Sequence, residues 1–279
     1  MTTYRYYPPN QRLGHTFEWK DTLLKTLSQH SCYCMQIFLV SSRGYGTRVL
    51  TQSDKEQTKD YCDKTHKTFC VHCSYLANLS YPISDDKALK SVNHVNNMLA
   101  CVNGLPGTCV LHIGKRGTIQ NVANNINDHI VIPRSSSTPY LLLENAAGMG
   151  TELGKNWDEL RKLFEGIDYN KVGLCIDTQH SFASGLCEFK DHEDVVKLFD
   201  EIDNCAKLGC IHLNDSLVPY RTYKDRHQNL RNGYIWYNND ESLKSLLDIC
   251  FDRSIDVVLE TPSKDDLDIL KSYSKPTRL

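Results

Sequence analysis

The chain has 279 residues, of which 40% are hydrophobic and 24% charged, as in an ordinary soluble globular protein. Its formal net charge is −2, whereas a protein that binds nucleic acid by charge alone is usually strongly basic. No apolar segment approaches the roughly 20 residues needed to cross a bilayer, and the first residues lack the apolar stretch of a signal peptide. We therefore expect an intracellular protein, cytoplasmic or nuclear, without membrane contact, whose nucleic-acid contacts, if any, use a local basic patch.

Short β-prone segments alternate with longer segments of helical periodicity after an N-terminal stretch, residues 1–11, which we expect to be an irregular arm. The predicted strands are Tyr33–Leu39, Thr68–His72, Gly107–His112, Tyr140–Glu144, Val172–Asp177, Leu208–His212 and Asp256–Glu260, with a weaker one at Leu13–His15. The predicted helices include Trp19–Gln29, Asp85–Val102, Asn156–Phe164, Asp194–Ala206 and Asp240–Phe251. Strands that are apolar on both faces and alternate with amphipathic helices imply a parallel sheet covered by helices.

Six of the predicted strands end in a residue that can bind a metal ion. These residues are His72, His112, Glu144, Asp177, His212 and Glu260, and the gaps between them are 40, 32, 33, 35 and 48 residues. Any one of them alone would more often be an ordinary polar residue at a strand end. Six together converge in space only if the strands close into a ring. The sequence therefore predicts an α/β protein with a single (β/α)8 TIM barrel domain over residues 1–279, with its site at the C-terminal mouth.

Three further residues of ligand type follow these strand ends. His180 lies three positions after Asp177, where the strand is expected to turn into its loop, and Asp225 and His227 lie in the loop after His212. The set of nine contains imidazoles and carboxylates and no cysteine, which is typical of catalytic zinc or manganese and not of structural zinc. Nine ligands are too many for one ion, so we expect a cluster of two or three.

Twelve cysteines are scattered along the chain, and several fall in apolar segments, as Cys175 and Cys210 do. Buried, reduced thiols are the ordinary state of such residues inside a cell. The segment Cys70-Val71-His72-Cys73 has C-x-x-C spacing, and Cys32 with Cys34 would supply the second pair of a zinc site. The spacing of that second pair is wrong for such a site, so this is the minor alternative.

Several short segments resemble the motifs of one enzyme family. They are Glu144-Asn145-Ala146-Ala147-Gly148, Cys175-Ile176-Asp177-Thr178-Gln179-His180, His212-Leu213-Asn214-Asp215-Ser216, Asp225-Arg226-His227 and Leu259-Glu260-Thr261-Pro262, and His72-Cys73-Ser74-Tyr75-Leu76 and His112-Ile113-Gly114 fit as well. Their order and spacing, from about Thr68 to Pro262, resemble those of the endonuclease IV family of apurinic/apyrimidinic (AP) endonucleases. The resemblance implies a (β/α)8 barrel with a trinuclear zinc site.

The resemblance also implies a role for each ligand. One ion would be held by His72, His112 and Glu144, a second by Asp177, His212 and Glu260 with Glu144 bridging, and a third by His180, Asp225 and His227. Three Zn²⁺ per chain are expected, with Mn²⁺ able to fill part of the site. Glu260 and Glu144 are the expected catalytic residues, and Glu260 would also orient the nucleophile.

The implied reaction is hydrolysis of the phosphodiester 5′ to an abasic site, which leaves a 3′-hydroxyl, accompanied by 3′-phosphodiesterase activity. The expected partner is damaged double-stranded DNA in base excision repair, and the expected enzyme is a monomer. Arg43, Tyr75 and Arg226 are the candidate DNA contacts. Further basic residues near the mouth are Lys115, Arg116, Arg221, Lys224 and Arg231.

The chain also departs from the family pattern. Arg231-Asn232-Gly233 stands where the family has Gly-Glu-Gly, Ile113 replaces a proline, and only Gly14-His15 remains of a glycine-rich opening. We expect the loss of the carboxylate at Asn232 to change either the orientation of the third trio or the way the loop meets DNA. Such drift around intact ligands fits a viral or reduced-genome lineage.

Two alternatives use the same residues differently. Sugar isomerases of the xylose isomerase type share the barrel and bind two divalent ions, but they generally lack a third trio like His180, Asp225 and His227. A non-catalytic DNA-binding relative would have no need of the full set of ligands.

Overall fold

The computed structural model describes residues 12–18, 22–30, 32–132, 140–168, 170, 172–271 and 273. The predicted arm at residues 1–11 lies outside them. The strands are β1 (Leu13–Glu18), β2 (Cys34–Phe38), β3 (Thr68–His72), β4 (Gly107–His112), β5 (Leu141–Glu144), β6 (Val172–Asp177), β7 (Leu208–Leu213), β8 (Asp215–Ser216), β9 (His227–Gln228) and β10 (Asp256–Leu259). Eight of them close into a parallel barrel in the order β1-β10-β7-β6-β5-β4-β3-β2, and β8 pairs with β9 in a short antiparallel ribbon.

Helices surround this barrel. They are α1 (Leu23–Ser28), α2 (Gln52–Thr65), α3 (Asp86–Val102), α4 (Ile119–His129), α5 (Trp157–Glu165), α6 (Thr178–Ser184), α7 (His192–Asp203), α8 (Asp240–Asp252) and α9 (Asp266–Lys271). Side-chain caps fix several of the starts. Thr51 and Asp54 form a reciprocal capping box at the start of α2, and Asp191 caps α7. No helix among the described residues is both long and apolar enough to cross a membrane.

The eight predicted barrel strands are confirmed, including the weakest one at the N-terminus. That strand is longer than predicted, and it closes the ring by pairing with β10 on one side and β2 on the other. Gly14 permits the second contact, because a Cβ atom at this position would lie 1.6 Å from the carbonyl oxygen of Cys34. Only glycine therefore fits where these two strands approach so closely.

One local prediction was wrong. His180 does not lie in a loop after β6, because α6 begins directly after Asp177 and His180 lies in its first turn. The side chain of Asp177 accepts a hydrogen bond from the backbone N–H of His180 at 2.9 Å and caps this helix. The same capping interaction holds two of the predicted ligands next to each other.

The cysteines are free thiols, and all but Cys205 are buried. Cys34 and Cys70 belong to the cluster inside the barrel, whereas Cys32 and Cys73 pack in the outer core between strands and helices. The minor alternative of a four-cysteine zinc site is therefore excluded, because each of its two cysteine pairs has one member inside the barrel and one outside.

Candidate metal centre

The six predicted strand-end ligands meet at the C-terminal mouth of the barrel. Register places His112 directly beside Glu144, and Asp177 beside His212. Val258 is the partner of His212, so Glu260 leaves the barrel just above that level. Parallel strands in a closed ring end on the same rim, which is why residues far apart in sequence converge here.

Glu144 lies at the centre of the site and is fully buried. Its Oε2 is 3.2 Å from Nε2 of His72 and 3.1 Å from Nε2 of His112. Its Oε1 is 3.1 Å from Nδ1 of His212 and 3.5 Å from Nδ1 of His180. Each carboxylate oxygen thus lies close to two imidazoles, and Glu144 belongs to two of the groups of possible metal ligands.

Asp177, His212 and Glu260 form a second group of donor atoms with Glu144, all within 4.8 Å of one another. Nδ1 of His212 is 3.3 Å from Oε2 of Glu260. The amide of Asn214 holds both carboxylates, because its Nδ2 donates to Asp177 at 2.7 Å and to Glu260 at 3.4 Å. The structure therefore gathers this group as expected and adds a residue that orients it.

The third group surrounds His180 and His227. One ligand atom from each of Asp177, His180 and His227 lies within 4.8 Å of the other two. Asp225 joins them from the loop after β7, with oxygens 3.6 Å from Nε2 of His180 and 3.3 Å from Nε2 of His227. All nine predicted ligands are thus brought together, and Asp177 is positioned to take part in the third group as well as the second.

The ring nitrogens are arranged to leave lone pairs for a cation. Nδ1 of His72 lies 2.7 Å from the carbonyl oxygen of Cys73, and Nδ1 of His180 lies 2.9 Å from that of Asn145. A carbonyl accepts only from an N–H, so the opposite Nε2 atoms are free to act as ligands. Nε2 of His227 is buried without a hydrogen-bond partner among the described residues, although carboxylates lie nearby. These donors fit divalent zinc or manganese.

The ionisation of the site shows how strongly its charges interact. Burial opposes ionisation of Glu144, but His212 and His112 outweigh it and hold the pKa of its carboxyl well below the usual value. Burial likewise acts against Asp225, whose pKa the imidazole of His180 nevertheless lowers to about 2. The buried rings of His180 and His212 have raised pKa values because carboxylates surround them. Without bound metal, protons on the rings of His180 and His212 therefore balance the carboxylate charges that metal cations would balance.

An open cleft of about 440 Å³ exposes the cluster to solvent. Arg43 and Tyr75, two of the candidate DNA contacts, line this cleft together with Lys115. Tyr75 is 43% exposed, and its ring lies 5.2 Å from that of His72. The third candidate, Arg226, is exposed but does not line the cleft, and its guanidinium donates to the carbonyl oxygen of Asp225 at 2.6 Å.

Two of the other basic residues are engaged within the protein. Arg231 forms an ion pair with Asp240 at 2.9 Å, and Arg221 packs over the ring of Tyr220 at 5.1 Å. Asn232 is exposed in a separate hollow lined by Leu217, Tyr234 and Tyr237. The position at which the resemblance predicts a glutamate therefore lies outside the lining of the cleft that holds the donor atoms.

Sequence reasoning assigned no role to Gln36 or Asp215. Gln36, on β2, donates from Nε2 to Oε1 of Glu260 at 2.5 Å. Asp215 is buried and accepts from the backbone N–H groups of Gly233 at 3.0 Å and Ile235 at 2.9 Å. A polar residue at an inward position of an apolar strand was the available signal for Gln36. The contacts of Asp215 depend on a loop path that no periodicity reveals.

Comparison with known proteins agrees with this geometry. Residues 24–275 match the family model described as xylose isomerase-like TIM barrel. The chain is 38% identical over 239 residues to "Probable endonuclease 4" of Alkaliphilus oremlandii, covering 82% of each chain. It is 29% identical to "Apurinic-apyrimidinic endonuclease 1" of Plasmodium falciparum, over 81% of this chain but only 39% of that longer protein.

Among solved structures, the crystal structure of endonuclease IV from Thermus thermophilus superposes with a TM-score of 0.77 at 25% identity, covering 94% of this chain and 96% of that one. A D-tagatose 3-epimerase-like protein, at 16% identity and a TM-score of 0.64, shares the fold alone. The chain belongs to the endonuclease IV family of xylose isomerase-like TIM barrels.

Proposed function

We propose that this protein is a metal-dependent AP endonuclease of DNA repair. It hydrolyses the phosphodiester 5′ to an abasic site, leaves a 3′-hydroxyl, and has an accompanying 3′-phosphodiesterase activity. Its substrate is damaged double-stranded DNA, and it acts as a single-domain monomer. The name of the Plasmodium falciparum relative supports the abasic substrate. The position of Glu144 among four imidazoles is the observation that carries the chemistry.

The three donor groups would hold three zinc ions, with the ligands expected from the sequence and with Asp177 available to two of the groups. When bound, these ions would supply charge that lowers the pKa of a water molecule and offsets the charge of the phosphate. Glu144, which belongs to two of these groups, would help to hold both ions. Glu260, whose Oε1 is held by Gln36, would orient the attacking water from the wall of the cleft.

Arg43, Lys115 and Tyr75 are positioned to receive the DNA, because they line the same cleft as the ligands. The basic side chains of Arg43 and Lys115 would bind backbone phosphates. The partly exposed ring of Tyr75 would stack into the space left by the missing base. An abasic nucleotide has no base to unstack, so its extrusion into a cleft costs less than that of an intact nucleotide. This difference would give selectivity for damaged DNA without reading any base.

Incubation of zinc-loaded protein with a duplex that contains one abasic analogue tests the proposal. We expect a single cut on the 5′ side, a product that a polymerase can extend, and loss of cutting with a chelator. Glu144→Gln should cut at least about 100-fold more slowly, since even partners of metal ligands contribute 10- to 100-fold. Glu201→Gln, a surface change at an ion pair with Arg161, is the matched control.

An intact duplex beside a cleaving control enzyme would contradict the proposal. Metal counting adds a second criterion, because fewer than three ions per chain at saturation would favour a two-ion sugar isomerase on the same fold.

A further inference from the structure

A second set of donor side chains lies inside the barrel, below the metal centre. At this level the interior carries four thiols, which belong to Cys34, Cys70, Cys175 and Cys210. Cys175 and Cys210 are register partners on β6 and β7, so their side chains lie side by side. The interior of a TIM barrel is usually filled by branched apolar side chains, and a layer rich in sulfur is therefore unusual.

Three of these donors converge on one point. One ligand atom from each of Cys70, Cys210 and His212 lies within 4.8 Å of the other two. The thiol of Cys175 belongs to the same buried cluster, and Cys175 is the register partner of Cys210. Two sulfur atoms and one imidazole thus share a small buried volume, with a third buried thiol on the neighbouring strand.

The two nitrogens of the His212 imidazole have different surroundings. Its Nδ1 faces Glu144 at 3.1 Å and Glu260 at 3.3 Å. Its Nε2 is buried and has no hydrogen-bond partner among the described residues. Because Nδ1 belongs to the carboxylate cluster, Nε2 is the nitrogen left to interact with the sulfur atoms. A buried polar atom without a partner is costly, and a bound cation would remove that cost.

We propose that Cys70, Cys210 and His212, with Cys175 as the fourth donor, form an additional site for a soft d10 cation, zinc(II) or copper(I). This thiolate site shares His212 with the nine-ligand cluster, and with both sites filled the ring would bind as an imidazolate whose N–H proton is released when the metal binds. Thiolates prefer such cations, and four donors suit tetrahedral coordination. Metal–sulfur distances of about 2.3 Å would bring the donors within about 4 Å of one another, which requires only a small approach from their present positions.

Cobalt(II) provides a direct test, because a sulfur-to-cobalt charge-transfer band in the near ultraviolet arises only when thiolate is a ligand. The nine ligands of the upper cluster contain no sulfur, so this band does not depend on the proposed cleavage of DNA. Metal-stripped, reduced protein should develop the band, and its final intensity should correspond to one thiolate-bound cobalt per chain. Zinc should then abolish the band by displacement, and copper(I) should do so if the site also accepts copper.

The variant carrying Cys70→Ser and Cys210→Ser should lose the band and bind one ion fewer per chain. Cys250→Ser, which removes an equally buried thiol on α8, should keep both. Absence of the band from the wild-type protein, or its persistence in the double variant, would overturn the proposal. X-ray absorption at the zinc edge tests the wild-type protein independently and needs no variant. Protein loaded with more zinc than the upper cluster can hold should show scattering from sulfur neighbours. A spectrum with only nitrogen and oxygen neighbours would refute the site.

Discussion

Gln36 and Glu260 are 224 residues apart, yet Nε2 of the amide donates to Oε1 of the carboxylate at 2.5 Å. The contact runs from β2 across the closing seam of the barrel to the residue that follows β10. Glu260 has a lowered pKa even though burial opposes its ionisation, because the imidazole of His212 stabilises the charged form. Gln36 therefore restrains the one carboxylate in the cleft to which we assign the orientation of water.

Gln36→Leu removes this restraint while keeping the side chain's approximate size. We expect the kcat for cleavage of an abasic duplex to fall about 10- to 100-fold, as for other partners of metal ligands, with little change in KM. Gln120→Leu, an exposed change on α4, should leave kcat unaltered. An unchanged kcat for Gln36→Leu would show that Glu260 needs no such restraint.

Asp215 accepts hydrogen bonds from the backbone of the turn at Gly233 and Ile235, which follows Asp225 and His227 in the chain. In Asp215→Asn, one acceptor oxygen becomes an NH2 group that faces backbone donors such as that of Gly233. We expect a loss of about 1–3 kcal/mol in the free energy of unfolding, because a buried donor is left unsatisfied. Thermal or urea unfolding measures it, with Asp63→Asn on the surface of α2 as the control. Equal stability of the two variants would refute this role.

The substitution of Asn232 for the family glutamate has a weaker expected effect than the sequence suggested. Asn232 is exposed in a hollow that is separate from the cleft of the donor atoms. We therefore expect Asn232→Glu to leave the number of bound metal ions unchanged and to affect only the binding of DNA. Metal content by mass spectrometry and DNA binding by fluorescence anisotropy separate the two effects. A change in metal content would restore the first expectation, that this position orients the third trio.

Metal-free protein should become less stable as the pH rises. Burial opposes protonation of His180 and His212, but surrounding carboxylates raise both pKa values well above the ordinary 6.5. A pKa that is higher in the folded state stabilises the fold below pH 6.5, and this contribution is lost as the pH rises through the folded value. Melting temperatures of metal-free protein should decline above pH 6.5, while those of metal-loaded protein should not. Parallel profiles would contradict this assignment.

Arg43 is the basic residue whose contribution to DNA binding is easiest to isolate, since it is exposed and lines the cleft. Arg43→Ala should weaken binding to abasic duplex and reduce the slope of log K against log salt by about 1, which corresponds to one lost phosphate contact. Lys244→Ala on α8 removes a lysine paired with Asp248 and should change neither quantity. The same slope for both variants would exclude a phosphate contact at Arg43.

Much of the fold and most of the site could be predicted from the sequence because the barrel repeats one rule. Each strand is a short apolar segment, and each site residue lies where that segment stops, so Glu144 and His212 are visible without knowledge of tertiary structure. Helix α2 is harder to recognise, because it buries few residues, Thr58 and Cys62 among them, and so lacks a clear apolar periodicity.

Residues that act across the barrel escaped prediction for a different reason. The partners of Gln36 and of Asn214 are set by strand order and register, which are known only after the ring closes. The placement of His180 failed because Asp177 both ends a strand and caps a helix, so no loop separates the two elements.

The strands that carry or precede the six strand-end ligands form one uninterrupted arc, β10-β7-β6-β5-β4-β3, while β1 and β2 complete the circle without contributing any of them. Bound cations would consequently link the six neighbouring strands of this arc. Strands β1 and β2 would be held only by strand pairing and packing, apart from the hydrogen bond of Gln36 to Glu260. Opening fluctuations should therefore begin at this pair. Metal loading would slow amide exchange around the arc and leave the exchange of β1 and β2 nearly as fast as before.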